Sequence, residues 1–256
     1  MAARRSRRRR RRGRFSFLYK LLSVVLILAA VVAGCIVFFR VETITILGST
    51  VYTDEEIIAA AGVEMGDNLF LVGKVQVGRK ITDQLPYIDT VKPSRVLPST
   101  LIITVTERTP VGVLEGDDGT WWVIDAACHL LEQGGSELTR KYPKISGLTA
   151  LMPKEGGELA VSVEESAKLN SLKQLLSALS GRDMLPQVQS IDLSGISEIR
   201  MTYEERFTVR LPMYSDDFPL LAHTLQEAAE HLNAGQTGTI DLTVDLSRER
   251  ARFIPN

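Results

Sequence analysis

Histidine is scarce in this chain of 256 residues, present only at His129, His223 and His231. His223 and His231 share one amphipathic stretch. On a helix they would stand roughly 80° apart and about two turns away from each other, too far to share a zinc ion unaided. The only cysteines are Cys35 and Cys128, and no HExxH, paired CxxC or GxSxG occurs. The signatures of a zinc hydrolase, a redox dithiol and a nucleophile elbow are thus missing. A Ser-His-Asp set drawn from distant segments would leave no mark in residue order, so a hydrolase stays open as an alternative. Asp117-Asp118 and Asp216-Asp217 could hold calcium weakly. A turn accounts better for the first pair and the first turn of a helix for the second, where carboxylates meet the positive end of the helix dipole. Gly134-Gly135 and Gly156-Gly157 lack the spacing of a phosphate-binding loop. The expected chemistry is recognition, with no cofactor, no metal and no catalytic residue.

Charge places that chemistry outside a membrane. Arg4, Arg5, Arg7, Arg8, Arg9, Arg10, Arg11, Arg12, Arg14 and Lys20 precede the first carboxylate, Glu42, and after Arg40 there are 19 basic against 31 acidic side chains. A basic head is joined to an acidic body. Between them Leu21 to Phe39 carries no charge, and such a helix of roughly 28 Å covers a hydrocarbon core of about 30 Å with slight thinning. Basic residues beside a span stay on the cytoplasmic side. We therefore expect residues 1–20 to form a cytoplasmic tail, 21–39 a transmembrane helix, and the rest an extracytoplasmic body. The arginines then act as topogenic charges attracted to anionic inner-leaflet lipids and not as a nucleic-acid arm. Val32-Ala33-Gly34-Cys35 is similar to a lipobox with Cys35 as acylation site, but the apolar Ile36 to Phe39 after it favours a retained anchor.

The body is long enough for two modules. Val41 to Ser49 alternates as a half-buried strand. Thr53 to Glu56 has the spacing of a capping box before a helix that Gly62 ends. A second helix is expected over about Val75 to Leu85, stopped by Pro86, and two extended runs follow, Tyr87 to Leu97 and Leu101 to Arg108. Glu107 and Arg108, adjacent on a strand, need different partners. After Gly112 the pattern changes. Glu115 to Gly119 reads as a hairpin tip or hinge before the strand TWWVID, in which one tryptophan enters the core and the other faces outward or meets the neighbouring module. Ser162 to Glu165 is a second capping box before a leucine-spaced helix running to Gly181. Strands are expected at Ser190 to Ser194, Ile199 to Tyr203 and Phe207 to Leu211, with a turn at Glu204 to Arg206. A helix over about Ser215 to Leu232, a strand Thr239 to Leu246 and a short Ala251 to Ile254 close the chain.

Two stretches, FFRVETITILGSTVYTDEEIIAAAGVEMGDNLFLV and LPYIDTVKPSRVLPSTLIITVTERTPVGVL, resemble a POTRA domain of the FtsQ/DivIB cell-division family. The resemblance covers most of residues 40 to 114. It implies an α+β fold, with a single N-terminal transmembrane helix, a POTRA domain at 40–112, and at 113–256 a second, mixed α/β and β-rich extracytoplasmic domain. That last region is similar to the family's β domain in the order of its elements.

The resemblance also implies a function. It is that of a non-enzymatic divisome scaffold in the cell membrane at the septum, binding FtsL-like and FtsB/DivIC-like bitopic coiled-coil proteins and helping couple them to septal peptidoglycan synthesis, with a peptidoglycan synthase as a further contact. The family's terminal binding strand carries over onto Thr239 to Leu246 and Arg248 to Phe253, which makes Thr243, Val244, Asp245, Ser247, Arg248 and Phe253 the expected partner-binding residues. The alternatives are a POTRA-containing envelope transport or assembly component, which would normally bring tandem copies and a β-barrel, and a membrane-anchored cell-wall hydrolase or lipoprotein.

Overall fold

The computed structural model describes residues 13–233, 235–243 and 251–256. Arg4, Arg5 and Arg7 to Arg12 lie outside the described residues. Helix α1 spans Gly13–Phe38 and includes Arg14 and Lys20. Its stretch Phe17–Phe38, of 22 residues, has a mean hydropathy of 3.0 and none of it is buried. It is long and apolar enough to cross a membrane, and it starts earlier than the charge-free run because Phe17, Leu18 and Tyr19 extend the apolar surface past Lys20.

The next elements are β1 (Thr43–Leu47), α2 (Asp54–Ala61), α3 (Lys74–Gln84), β2 (Ile88–Val96) and β3 (Thr100–Glu107). Their local determinants are those read from the sequence. Thr53 and Glu56 cap α2 reciprocally, and Gly62 ends it in the left-handed conformation at φ 59°, which glycine adopts without a Cβ penalty. The strands form one sheet in the order β1-β3-β2. β1 runs parallel and β2 antiparallel to the central β3. Ile57, Val77 and Ile81 from the helices meet Leu101, Ile103 and Val105 of β3 in a single core.

The rest builds a nine-stranded sheet in the order β12-β11-β10-β9-β8-β7-β4-β5-β6. Its strands are β4 (Pro110–Gly116), β5 (Trp121–Asp125), β6 (Leu130–Gly134), β7 (Lys144–Ala150), β8 (Val188–Asp192), β9 (Glu198–Tyr203), β10 (Phe207–Pro212), β11 (Gly238–Asp241) and β12 (Arg252–Pro255). The short α4 (Leu138–Lys141) precedes β7, α5 (Ser166–Ser180) precedes β8, and α6 (Phe218–His231) links β10 to β11. α5 and α6 lie side by side and bury Leu172, Leu175, Leu176, Phe218, Leu221 and Leu225 in the main core with the inward residues of the sheet.

Several expectations need correction here. β6 and β7 fall in a stretch for which the sequence predicts no element. β7 joins the two halves of the sheet, pairing in parallel with both β4 and β8, yet Gly147 interrupts it at φ 87°. A Cβ there would collide with the backbone of Leu193 and Ser194, so only glycine lets the strands approach. The second capping box is half made. Ser162 accepts from Glu165 N, but a single 3-10 turn, Val163–Glu165, comes before α5, and the Glu165 carboxylate reaches Thr149 N at 3.5 Å. α6 starts at Phe218 and not Ser215, because Asp217 is its N-cap and accepts from Leu220 N at 2.9 Å.

The tryptophans divide as alternation demands. Trp122 enters the main core, while Trp121, under the Lys144 ammonium at 5.0 Å, packs beside a small cluster in which Tyr87 meets Val113, Val123 and Leu131.

Glu107 and Arg108 take different partners. Glu107 accepts from Ser49 Oγ, Thr50 N, Thr50 Oγ1 and Val51 N at 2.6 to 2.9 Å, pinning the loop between β1 and α2. Burial pushes its carboxyl up, but these four donors outweigh it and hold the group at about 2, below the usual 4.5. A depressed carboxylate stabilises the fold above its unfolded pKa, and that stability is lost as pH falls through its folded pKa. Glu107→Gln is therefore expected to cost about 1 to 2 kcal/mol above pH 5, after discounting for solvent screening. The gap to the parent should close between about pH 4.5 and pH 2, as seen in chemical denaturation at a series of pH values. A gap independent of pH would refute the role of the charge.

Candidate partner interface

β12 is the outermost strand at one end of the large sheet. The strand expected at Thr239 to Leu246 is not that edge. Its described part, β11, lies second, between β10 in parallel and β12 antiparallel, with Ile240 and Leu242 buried. β12 pairs Arg252 with Asp241, Phe253 with Ile240, Ile254 with Thr239 and Pro255 with Gly238. Asn256 N donates to Thr237 O. In an antiparallel ladder alternate residues turn both backbone groups toward the neighbour. Residues 252, 254 and 256 therefore face β11, and Phe253 and Pro255 face outward. The open edge offers the N–H and C=O of Phe253 and the carbonyl of Pro255, which lacks an N–H.

Two supports hold this strand. The Phe253 ring packs inward, half-buried and edge-on to the buried Phe207 at 6.2 Å, which leaves Arg252, Ile254 and Pro255 exposed. Beneath, Gly238 lets the strands close up, since a Cβ on it would meet the Ile254 carbonyl and the Phe253 ring. The other support is ionic. Arg210 on β10 donates to Glu198 Oε2 at 2.6 and 2.9 Å and to Asp241 Oδ2 at 3.1 Å, and Arg200 meets Glu198 Oε1 at 2.6 Å. Hydrogen bonds from Arg210 and Arg200 lower the Glu198 carboxyl and outweigh the cost of burial. Burial pushes Asp241 up, but the Thr243 hydroxyl and N–H, with the charges of Arg210 and Arg252, hold it below its ordinary value.

Of the residues expected at the partner site, Thr243 is exposed and caps Asp241, its N–H and hydroxyl donating to Asp241 Oδ1 at 3.0 and 2.6 Å. Phe253 stands on the edge strand with its ring turned to the core. Val244, Asp245, Ser247 and Arg248 lie outside the described residues. Arg252, within the expected segment Arg248 to Phe253, and Ile254, one residue beyond it, are exposed on this strand. Their exposure depends on which short strand ends outermost, and residue order does not carry that.

A second polar cluster sits where the two sheets meet, beside a cleft of about 990 Å³. Arg108 Nη1 donates to Asp125 Oδ2 at 2.7 Å and lies 2.6 Å from His129 Nδ1, while Asp125 Oδ1 accepts from Ala127 N and His129 N. Cys128 adjoins this His-Asp pair, and the three residue types are those of a thiol hydrolase. The thiol is fully buried, and burial pushes it up to about 12, so at neutral pH it stays protonated and is no nucleophile. His129 Nδ1 faces Arg108 and Asp125, and these contacts make the cluster a bracket between modules. Among the described residues no group of three His, Cys, Asp or Glu side chains is placed to hold a metal ion.

Comparison with known proteins fits this architecture. Residues 39–108 match the family described as POTRA domain, FtsQ-type, and they comprise β1 to β3 with α2 and α3. The cell division protein FtsQ of Corynebacterium glutamicum is 28% identical, covering 59% of this chain and 64% of that protein. The chain carries a POTRA domain of the FtsQ type and is similar to FtsQ proteins. Another FtsQ, from Mycobacteroides abscessus, is also 28% identical, over 74% of this chain and 57% of its own length. The cell division protein DivIB of Clostridium acetobutylicum is 25% identical over 67% of each. The chain thus spans less than two thirds of the length of the first two FtsQ relatives. The 74% match reaches well beyond the 70-residue POTRA unit, so the similarity to FtsQ proteins extends into the nine-stranded sheet.

Proposed function

We propose that this chain is a bitopic cell-division protein that works by binding and not by catalysis. Its arginine-rich head stays in the cytoplasm, α1 crosses the membrane, and both sheets lie outside, at the division septum. β12 receives an extended segment from a small bitopic coiled-coil partner, FtsL-like or FtsB/DivIC-like, as an added strand. Through that contact the chain helps couple these proteins to septal peptidoglycan synthesis. The observation that carries the reading is the outer ladder of β12, beyond which no strand lies among the described residues, where Phe253 presents a donor and an acceptor and Pro255 an acceptor. Such an edge invites strand addition, and the proline limits indiscriminate pairing. Support for a division role comes from the cell-division names of the relatives, and support for the orientation from the charge asymmetry. The inert thiol of Cys128 argues against a thiol hydrolase at the cluster of Arg108, Asp125 and His129.

The partner-binding positions Thr243, Val244, Asp245, Ser247, Arg248 and Phe253 belong to the same proposal. Phe253 would act through its backbone. A photo-crosslinking amino acid at Ile254, 40% exposed, is expected to trap a small bitopic protein in growing cells, identifiable by mass spectrometry. The same probe at Ile196, 89% exposed and far along the sheet order, serves as control. Adducts at Ile196 with none at Ile254 would contradict the proposal.

A further inference from the structure

The loop between α2 and α3 exposes apolar side chains that the POTRA core does not use. Along Leu69 to Val72 the pattern is buried, exposed, exposed, buried. Leu69 and Val72 enter the core at 0% and 8% exposure, while Phe70 is 49% and Leu71 78% exposed. Val75, in the first turn of α3, is 84% exposed. In a water-facing loop such a cluster is costly.

Its location gives it a partner. Asn68 Nδ2 reaches the carbonyls of Cys35 and Ile36, each at 3.3 Å, in the last turn of α1, where Cys35 O also accepts from Phe39 N at 3.1 Å. Leu69 N donates to Phe39 O at 2.8 Å, and the Phe39 ring stands edge-on to Phe70 at 5.0 Å. The loop is therefore tied to the last turn of the apolar stretch Phe17–Phe38. Those 22 residues give about 33 Å of helix, little more than the roughly 30 Å of hydrocarbon they must cover. Phe38 thus falls at the hydrocarbon boundary, and a loop bonded to Phe39 and to the last turn of α1 lies where the hydrocarbon meets the headgroups.

Arg95 fixes the shape of the loop. Its Nη2 donates to Val72 O at 2.7 Å and Phe70 O at 3.3 Å, and its guanidinium lies 5.8 Å from the centre of the Phe70 ring. Lys74, exposed between Leu71 and Val75, has the stem and charge of a residue that reaches up to lipid phosphates.

We propose that Phe70, Leu71 and Val75 form a membrane-seating surface that inserts into the headgroup layer of the outer leaflet and holds the POTRA module against the bilayer. This goes beyond partner binding and rests on α1 crossing the membrane. The test uses the full-length chain in nanodiscs of phosphatidylethanolamine and phosphatidylglycerol, with spin labels read by power saturation against oxygen and a water-soluble nickel chelate. A label on native Cys35 reports the span. Labels on Leu71→Cys and Val75→Cys, in a Cys35→Ala background, report the loop. Met152→Cys in that same background, 88% exposed on the other module, reports water, and the buried Cys128 stays unlabelled.

With Cys35 showing excess oxygen collision, as a span requires, the Leu71 and Val75 labels are expected to shift from the Met152 ratio toward that of Cys35. Leu71 and Val75 labels that match Met152 would overturn the proposal while leaving the span intact. So would labels shielded from both relaxants, since a protein surface would then be the occupant.

Discussion

Asp125→Ala is expected to destabilise the extracytoplasmic region by about 3 to 5 kcal/mol, the usual cost of removing one partner from a buried ion pair. The Asp125 side chain is 8% and that of Arg108 15% exposed, and they meet at 2.7 Å. Without the carboxylate, the one ion pair left to Arg108 among the described residues is that with Asp89, at 3.4 Å and 47% exposed, and the N–H groups of Ala127 and His129 lose their acceptor. Unpaired charge and orphaned donors both carry desolvation costs. Asp89→Ala should cost less than about 1 kcal/mol, because an exposed, longer pair is screened by solvent. Chemical denaturation of the detergent-solubilised full chain, followed by tryptophan fluorescence, compares the two, since buried Trp122 lies on the same strand as Asp125. Equal losses would mean that the junction bracket does not hold the modules together.

Phe207→Ala should cost a similar 3 to 5 kcal/mol through lost transfer energy and the cavity left behind. The ring is 1% exposed and lies under the Arg206 guanidinium at 4.2 Å. It is also the surface on which Phe253 rests, so the variant should release β12 from the sheet and abolish crosslinking at Ile254. Phe253→Ala, at a half-buried position, should cost about 1 to 2 kcal/mol by lost apolar burial and weaken the same crosslink with the core intact. Denaturation paired with crosslinking separates the outcomes. A Phe207→Ala protein that is destabilised but crosslinks as the parent does would show that the edge is held by the ionic cluster around Arg210 instead.

What could be read from the sequence follows from how local each determinant is. The Thr53-Glu56 box, the Gly62 stop and the leucine spacing of α5 act within a few residues, and these elements stand close to where they were expected. β7 was not legible because Gly147 breaks its alternation for the sake of a contact with Leu193, 46 positions later. The partner edge was legible as a region but not as a strand. The run Thr239 to Leu246 reads as a terminal strand, but that its described part, β11, is covered by Arg252–Pro255 depends on how the sheet closes. Arg108, Asp125 and His129 were each visible, Arg108 as needing a partner of its own, and only the packing of one module on the other brings them together.

The central claim, a division protein anchored by α1 and acting through its outer modules, is tested most directly by the position of the protein in growing cells. A fluorescent protein fused to the N-terminus, the end expected in the cytoplasm, should form a band at midcell before constriction begins, and depletion of the chain should block division. Uniform peripheral fluorescence with normal division after depletion would contradict the account.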